Sequence, residues 1–304
     1  MKTFKVTILG SLAAYPQKDK ITSAQIVQYD QNFILIDSGE SCQTKISQWN
    51  IKAAKINTIC ISHLHGDHIF GLPGLLSSFQ HHQRVRPLTI IGPKGIRRYV
   101  ESIFEITKQK VEYEIDFLEY TLTKKLKVYS LPNLNIYAFP LEHRIDTLGY
   151  QFVEYFTEKK WDVDKVTKLN LSIDQIKKLK SGENIVIAGV KTLTSEELTL
   201  SNPLPRRYAY CSDTQYSEKI IPYIEYSDLL YHEATYLHEL EEKAKERKHS
   251  TSFEAAKMAQ NAKVKKLIIG HFSPRYREYE PLLKEAKEVF QETYLGLEGC
   301  VFDV

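Results

Sequence analysis

Ile59-Cys60-Ile61-Ser62-His63-Leu64-His65-Gly66-Asp67-His68-Ile69-Phe70-Gly71-Leu72 is the stretch whose reading decides the fold. An apolar run of strand length ends in His-x-His-x-Asp-His and passes into a helical pattern. Three imidazoles and a carboxylate within six residues gain little from packing. They would lose hydration without burying much apolar surface. A metal removes the conflict, because neutral imidazole and carboxylate are ordinary ligands of zinc and related ions. At a turn, His63 and His65 can point the same way, leaving Asp67 and His68 to face a second ion. The alternative is a polar turn that happens to be rich in histidine, which leaves the clustering unexplained.

Cys42, Cys60, Cys211 and Cys300 lie far apart, without a Cys-x-x-Cys pair. They read as small buried hydrophobes in a reducing compartment, not as a disulfide framework or a thiolate cage. Any metal is then held by nitrogen and oxygen, the donor set of catalytic more than of structural zinc. A chain of 304 residues suits one large domain or two small halves. Its 42% hydrophobic and 26% charged content is that of a soluble globular protein. No stretch approaches the roughly 20 apolar residues that span a bilayer, and the alternating start at 1–10 is no signal peptide, so the cytoplasm is expected. A formal net charge of +3 neither demands nor excludes a nucleic-acid partner.

Periodicity predicts strands at 4–9, 25–29, 33–36 and 58–61, a helix at about 69–81, a strand at 88–91 and a helix at 96–107. Short strands follow at 115–118, 126–130, 134–139 and 148–155. Residues 156–204 are polar and Lys-rich and read as an excursion from the core. The pattern resumes with strands at 208–211 and 228–231, helices at 236–248 and 252–261, a strand at 267–270, a helix at 279–293 and a final strand at 300–304. Strands and helices alternate in both halves. The expected architecture is α/β: an αββα sandwich of two packed mixed sheets with helices on the outer faces.

One motif cannot fill two metal shells. His143 in Leu141-Glu142-His143-Arg144, Asp213 in Cys211-Ser212-Asp213-Thr214 and His271 in Gly270-His271-Phe272 each follow an apolar strand. Singly, each reads as well as a solvated loop residue or a cap. Sheets gather strand-end residues at one edge, so the shared position marks all three as candidate ligands.

The combination resembles the metallo-β-lactamase superfamily and, within it, the ribonuclease Z family of tRNA 3′-processing endonucleases. The likeness runs through Leu35-Ile36-Asp37-Ser38-Gly39-Glu40, the histidine motif with Gly71-Leu72-Pro73-Gly74-Leu75, Leu141-Glu142-His143-Arg144 with Gly149-Tyr150, and Tyr210-Cys211-Ser212-Asp213-Thr214. It continues through His232-Glu233-Ala234-Thr235, His249-Ser250-Thr251 and Gly270-His271-Phe272-Ser273-Pro274-Arg275-Tyr276. The histidine motif alone specifies only the superfamily; the ordered set, with His-Glu-Ala-Thr and His-Ser-Thr, is much more specific to the family.

The resemblance implies one metallo-β-lactamase-like domain over 1–304 that binds two Zn2+ per subunit. His63, His65 and His143 would hold one ion, Asp67, His68 and His271 the other, and Asp213 would bridge them. Asp67 could also take a proton from the attacking water. His249 would protonate the leaving O3′, oriented by Glu233. The alternative for His249 is a neighbour of a helix cap supplied by Ser250 or Ser252. His81 and His82 read as partners of the last carbonyls of their helix. The implied partners are precursor tRNA and, in a homodimer, a second copy, with no membrane.

Basic pairs occur at Arg84 and Arg86, Arg97 and Arg98, Lys159 and Lys160, Lys177 and Lys178, Arg206 and Arg207, and Arg275 with Arg277. Lys177, Lys178 and Arg275 are the candidate substrate contacts. The family's arm, which grips the tRNA elbow, corresponds to 156–204. It usually has a Gly-Pro tip that is missing here, which implies a shortened or rebuilt arm. Ser212 stands where glycine is frequent. Two other functions fit the same motifs: a general phosphodiesterase or RNA exonuclease, and a metal-binding scaffold without activity.

Overall fold

The computed structural model describes residues 2–157, 160–187 and 191–304. Contacts divide the chain into one unit of Met1–Val153 with Arg206–Val304 and a second of Glu154–Pro205. In chain order the first unit opens with β1 (Phe4–Gly10), β2 (Ala24–Tyr29), β3 (Asn32–Ile36), α1 (Cys42–Gln48), β4 (Ile56–Cys60), α2 (Gly66–Ile69) and α3 (Leu72–His81). It continues with β5 (Leu88–Pro93), α4 (Ile96–Ile106), β6 (Ile115–Tyr120), β7 (Leu126–Leu131), β8 (Leu134–Pro140) and β9 (Leu148–Glu154). The second unit holds β10 (Lys160–Trp161), α5 (Val163–Lys168), α6 (Ile173–Lys180), β11 (Ile185–Ile187), β12 (Lys191–Leu193) and β13 (Thr199–Leu200). The first unit resumes with β14 (Arg207–Cys211), α7 (Ile221–Ile224), β15 (Leu229–Glu233), α8 (Glu241–Arg247) and α9 (Ser252–Asn261). It ends with β16 (Leu267–Gly270), α10 (Glu280–Val289), β17 (Thr293–Leu295) and β18 (Val301–Asp303).

Two seven-stranded sheets form, in the orders β18-β1-β2-β3-β4-β5-β6 and β17-β16-β15-β14-β9-β8-β7. Each mixes directions. Strands β3 to β6 run parallel, as do β14 to β17, while β18–β1, β1–β2, β2–β3, β9–β14 and β7–β8 pair antiparallel. Side chains that alternate along each strand supply two faces. The inner faces meet in a core that includes Val6, Ile8, Val27, Ile34, Ile36, Tyr150, Phe152, Tyr208, Tyr210 and Ile268. Outside the first sheet, Leu9, Leu35, Ile59 and Ile90 pack with Ile46, Leu72, Leu76, Phe79 and Ile96. Outside the second, Ala209, Cys211, Leu230 and Ile269 pack with Ala255, Ala259, Leu282 and Ala286. Burial of each large side chain contributes about 1.5–3 kcal/mol. This is the αββα sandwich expected from the alternation of elements.

Several expected elements differ in detail. The helix at 69–81 is two helices, because the chain breaks at Phe70-Gly71. A Cβ at Gly71 would lie 2.2 Å from the Gly39 carbonyl oxygen, so only glycine lets the helix start pass that loop. The helix at 236–248 is a 3-10 turn, His238–Leu240, followed by the shorter α8. The helix at 279–293 stops at Val289, and Thr293 begins an edge strand. Helix α1 had no counterpart in the periodicity. It is seven residues long and buries only Cys42, Lys45 and Ile46, too few for a repeat to show. Cys300 is part-exposed, unlike the three other cysteines, which are buried as expected.

Candidate metal centre

The parallel strands place their carboxyl ends at one edge of the sandwich. Asp37 follows β3, the histidine motif follows β4, Asp213 follows β14, Glu233 ends β15 and His271 follows β16. His143 lies just past β8. Asp37 and His271 turn the chain with positive φ, 56° and 58°, a left-handed conformation that Asp and His adopt more readily than most residues.

Within this edge the ligand-type atoms converge in groups. His63, His65, His143 and Asp213 form one, and Asp67, His68 and His271 a second, while Asp213 and His271 of these also converge with His249. In the first, His65 Nδ1 is 3.0 Å from His63 Nε2 and 3.3 Å from His143 Nε2. In the second, His68 Nε2 is 3.4 Å from His271 Nε2, and Asp67 Oδ2 is 3.5 Å from the latter. Asp213 turns one oxygen to each group. Its Oδ2 lies 3.5 Å from His63 Nε2, and its Oδ1 3.2 Å from both His68 Nε2 and His271 Nε2.

These spacings fit a metal. Tetrahedral ligands at roughly 2.0–2.1 Å from zinc stand ~3.3 Å from one another. The opposite ring nitrogens are also engaged. His63 Nδ1 meets the Ser62 hydroxyl at 3.0 Å, His68 Nδ1 meets Asp37 Oδ2 at 2.8 Å, His143 Nδ1 meets the Lys248 carbonyl at 2.9 Å and His271 Nδ1 meets the Thr235 hydroxyl at 3.0 Å. A proton on each outer nitrogen leaves the inner lone pair facing the pocket.

Charge is distributed unevenly. Burial and the neighbouring His68 hold the His63 pKa well below its ordinary value, and burial lowers His65 and His143. Burial also opposes charge on His68, but Asp213, Asp67 and Asp37 outweigh it and raise its pKa. Asp67 and Asp213 are buried, which disfavours their charge, yet the surrounding imidazoles pull both pKa values down.

His249 stands beside these groups. Its Nδ1 donates to Glu233 Oε1 at 2.8 Å. Burial works against its charge, while the Glu233 carboxylate lifts its pKa to about 9. Glu233 is itself fixed by the Thr214 N–H at 2.8 Å and the Thr235 hydroxyl at 2.5 Å. The cap expected from Ser250 or Ser252 is supplied by Thr251, which accepts from Glu254 N–H in a reciprocal capping box. His249 is therefore two residues before the cap and free to face the pocket.

His65, Asp67, His143, Asp213, His249 and His271 line a cleft of about 440 Å³, with Arg144, Arg247 and Arg275 on its walls. Of the other candidates, Lys177 and Lys178 stand on α6 of the second unit. Lys159 and the side chain of Lys160 lie outside the described residues. His82 Nδ1 donates to the Ser78 carbonyl at 2.7 Å, a helix-end contact. Asp37, Ser62 and Thr235 were not singled out from the sequence. All three sit inside the quoted motifs, but only the fold shows that they hold His68, His63 and His271.

Nitrogen and oxygen donors without thiolates, gathered where two packed sheets share an edge, mark the metal-dependent hydrolases of the metallo-β-lactamase fold, and this protein is of that class. Residues 4–157 match the family model described as Anti-Pycsar protein Apyc1. Over all 304 residues the chain is 40% identical to a ribonuclease Z of Parabacteroides distasonis, with both chains fully covered. It is 38% identical to one of Cytophaga hutchinsonii, with 99% and 96% covered. The solved structure of human tRNase Z, short form, matches at 26% identity with a TM-score of 0.73, covering 98% of each chain. The metallo-β-lactamase fold protein YhfI from Bacillus subtilis shares the fold at 19% identity, with a TM-score of 0.71 and both chains fully covered. The chain belongs to the ribonuclease Z family over its whole length and, over residues 4–157, to the family of the Apyc1 model.

Proposed function

We propose that this protein is a zinc-dependent endoribonuclease that removes 3′ trailers from tRNA precursors, leaving a 3′-hydroxyl on the tRNA and a 5′-phosphate on the trailer. The observation that carries the reading is the hydrogen-bonded His249–Glu233 pair beside the two ligand groups. A pocket built only to store metal has no need of an acid held at its wall.

His63, His65 and His143 would hold one zinc, Asp67, His68 and His271 a second, with Asp213 between them. When bound, a pair of zinc ions makes hydroxide available at neutral pH and offsets charge on the phosphoryl oxygens. Asp67 accepts a proton from the attacking water. His249 is anchored through Nδ1, which leaves Nε2 to deliver a proton to the ribose O3′, a poor leaving group. Glu233 keeps the ring turned and stabilises its charged form. The full-length likeness to proteins named ribonuclease Z supports tRNA as substrate.

The Glu154–Pro205 unit carries exposed Lys177 and Lys178 on α6 and would serve as the arm that grips the precursor. A-form RNA is read by backbone and shape, which suits a lysine-bearing arm. A homodimer in the cytoplasm completes the proposal. No helix among the described residues is long and apolar enough to cross a membrane.

The test is incubation of zinc-loaded protein with a 3′-extended pre-tRNA, followed by mapping of both new ends. One cut at the discriminator base, absent in Asp67→Ala, is expected. Turnover of bis(p-nitrophenyl) phosphate without a specific RNA cut would replace the reading with a general phosphodiesterase.

A further inference from the structure

The loop after β1 brings to the metal pocket an aromatic ring that the chemistry above does not use. Leu12 bridges both Thr22 and Phe272. Ala13 N–H donates to the Phe272 carbonyl at 3.0 Å, and the Gln17 side-chain amide to the Pro274 carbonyl at 3.2 Å. The loop is thus fastened to the segment that carries His271 and Arg275. Between the anchors the chain makes a three-residue turn, with Tyr15 N–H donating to the Ala13 carbonyl at 2.8 Å and Ala14 at φ 67°. Left-handed backbone is unfavourable for alanine. Here it aims the Ala14 N–H at Asp67 Oδ2, 2.8 Å away. The same turn sets Tyr15 in the pocket wall with 58% of its surface exposed.

A large ring left in water at the wall of a polar pocket is open to a bound ligand. The Tyr15 hydroxyl bonds no described residue, so it does not explain the placement. Arg144, Arg247 and Arg275 line the same cleft, and none has an acidic partner among the described residues. Arg275 lies over the Tyr236 ring at 5.3 Å, which pre-orients its guanidinium. Such a rim attracts phosphates. Any RNA phosphodiester cut in this pocket carries a nucleoside on each side of the phosphorus. Its bases are flat, apolar-faced groups of the right size for a phenol ring.

We propose that Tyr15 is a stacking platform for a nucleobase adjacent to the scissile phosphate, setting the RNA across the pocket while the arginine rim holds the flanking phosphates. The inference rests on RNA being the substrate. Tyr15 is a positioning and specificity residue, distinct from the groups that move protons. Loss of one base–aromatic stack weakens binding by roughly 5- to 150-fold.

The experiment measures single-turnover cleavage of a 3′-extended pre-tRNA by the zinc-loaded, full-length protein and its Tyr15→Ala and Tyr15→Phe variants. Each is crossed with substrates made abasic at the nucleotide 5′ or 3′ of the cut. Tyr15→Ala is expected to raise the half-saturating concentration about tenfold, with the smaller share of the loss in the maximal rate. Tyr15→Phe should recover most of it. At one flanking nucleotide the abasic substrate should cost wild type a similar factor and cost Tyr15→Ala almost nothing more. Additive losses at both nucleotides, or Tyr15→Phe as impaired as Tyr15→Ala, would overturn the stacking role alone. No specific cut by the wild type would overturn the RNA reading beneath it.

Discussion

The Asp37 carboxylate accepts four hydrogen bonds: from Ser62 N–H and Oγ–H, from His68 Nδ1 and from the Tyr210 hydroxyl, at 2.7–2.8 Å. It never meets the pocket, yet it fixes the ring of His68 and ties both sheets to it. Asparagine keeps the size but loses the charge and presents an amide to donors. Asp37→Asn is expected to lower zinc affinity by about 10- to 100-fold in a chelator competition; an unchanged affinity would refute the ring-holding role. Glu233 and His249 form the other residue-scale unit. Glu233→Gln and His249→Ala should each slow single-turnover cleavage by roughly 10²–10⁴-fold. The double variant should be little slower than either, because the pair acts as one device. Losses that multiply would separate them. The histidine motif was legible because its donors are neighbours in the chain. The bonds of Asp37, Ser62 and Thr235 were not, because they join strands whose register no local pattern reveals.

Helix α9 shows how an element serves the site. Thr251 and Glu254 close its amino end reciprocally, and the fixed first turn holds the segment that presents His249. Thr251→Ala should cost about 1 kcal/mol in urea denaturation; stability equal to wild type would show that the cap contributes nothing. Strands with unbroken apolar runs, such as β4 and β16, were readable at nearly their true bounds. Shorter elements were hidden. Helix α1 buries too few residues for a repeat, and β17 has only three. The apolar spacing around Val289 and Phe290 predicts a helix that runs on to residue 293, but the chain leaves it to pair an edge strand. The division between α2 and α3 depends on how near Gly71 comes to Gly39, a tertiary fact.

At the scale of the molecule, two sheets meet through apolar faces and are pinned by tyrosines. Tyr150 donates to the Ile61 carbonyl at 2.6 Å, and Tyr208 to Gln25 Oε1 at 2.5 Å. That packing brings His143, Asp213 and His271 of one sheet to His63, His65, Asp67 and His68 of the other. The sandwich followed from the order of elements. Residues 156–204 stand apart in the sequence by their composition, and the unit Glu154–Pro205 has its own small core of Leu179, Ile185, Leu193 and Leu198. Its helices were not predicted, since each is short and mostly polar. The division of Asp213's two oxygens between the two ligand groups is the geometric heart of the account. It is tested by titrating zinc into chelator-stripped protein while following cleavage of a 3′-extended pre-tRNA. Activity should be absent without metal and should reach its plateau at two equivalents of zinc per chain. A plateau at one equivalent, or cleavage by the metal-free protein, would contradict the two-ion centre.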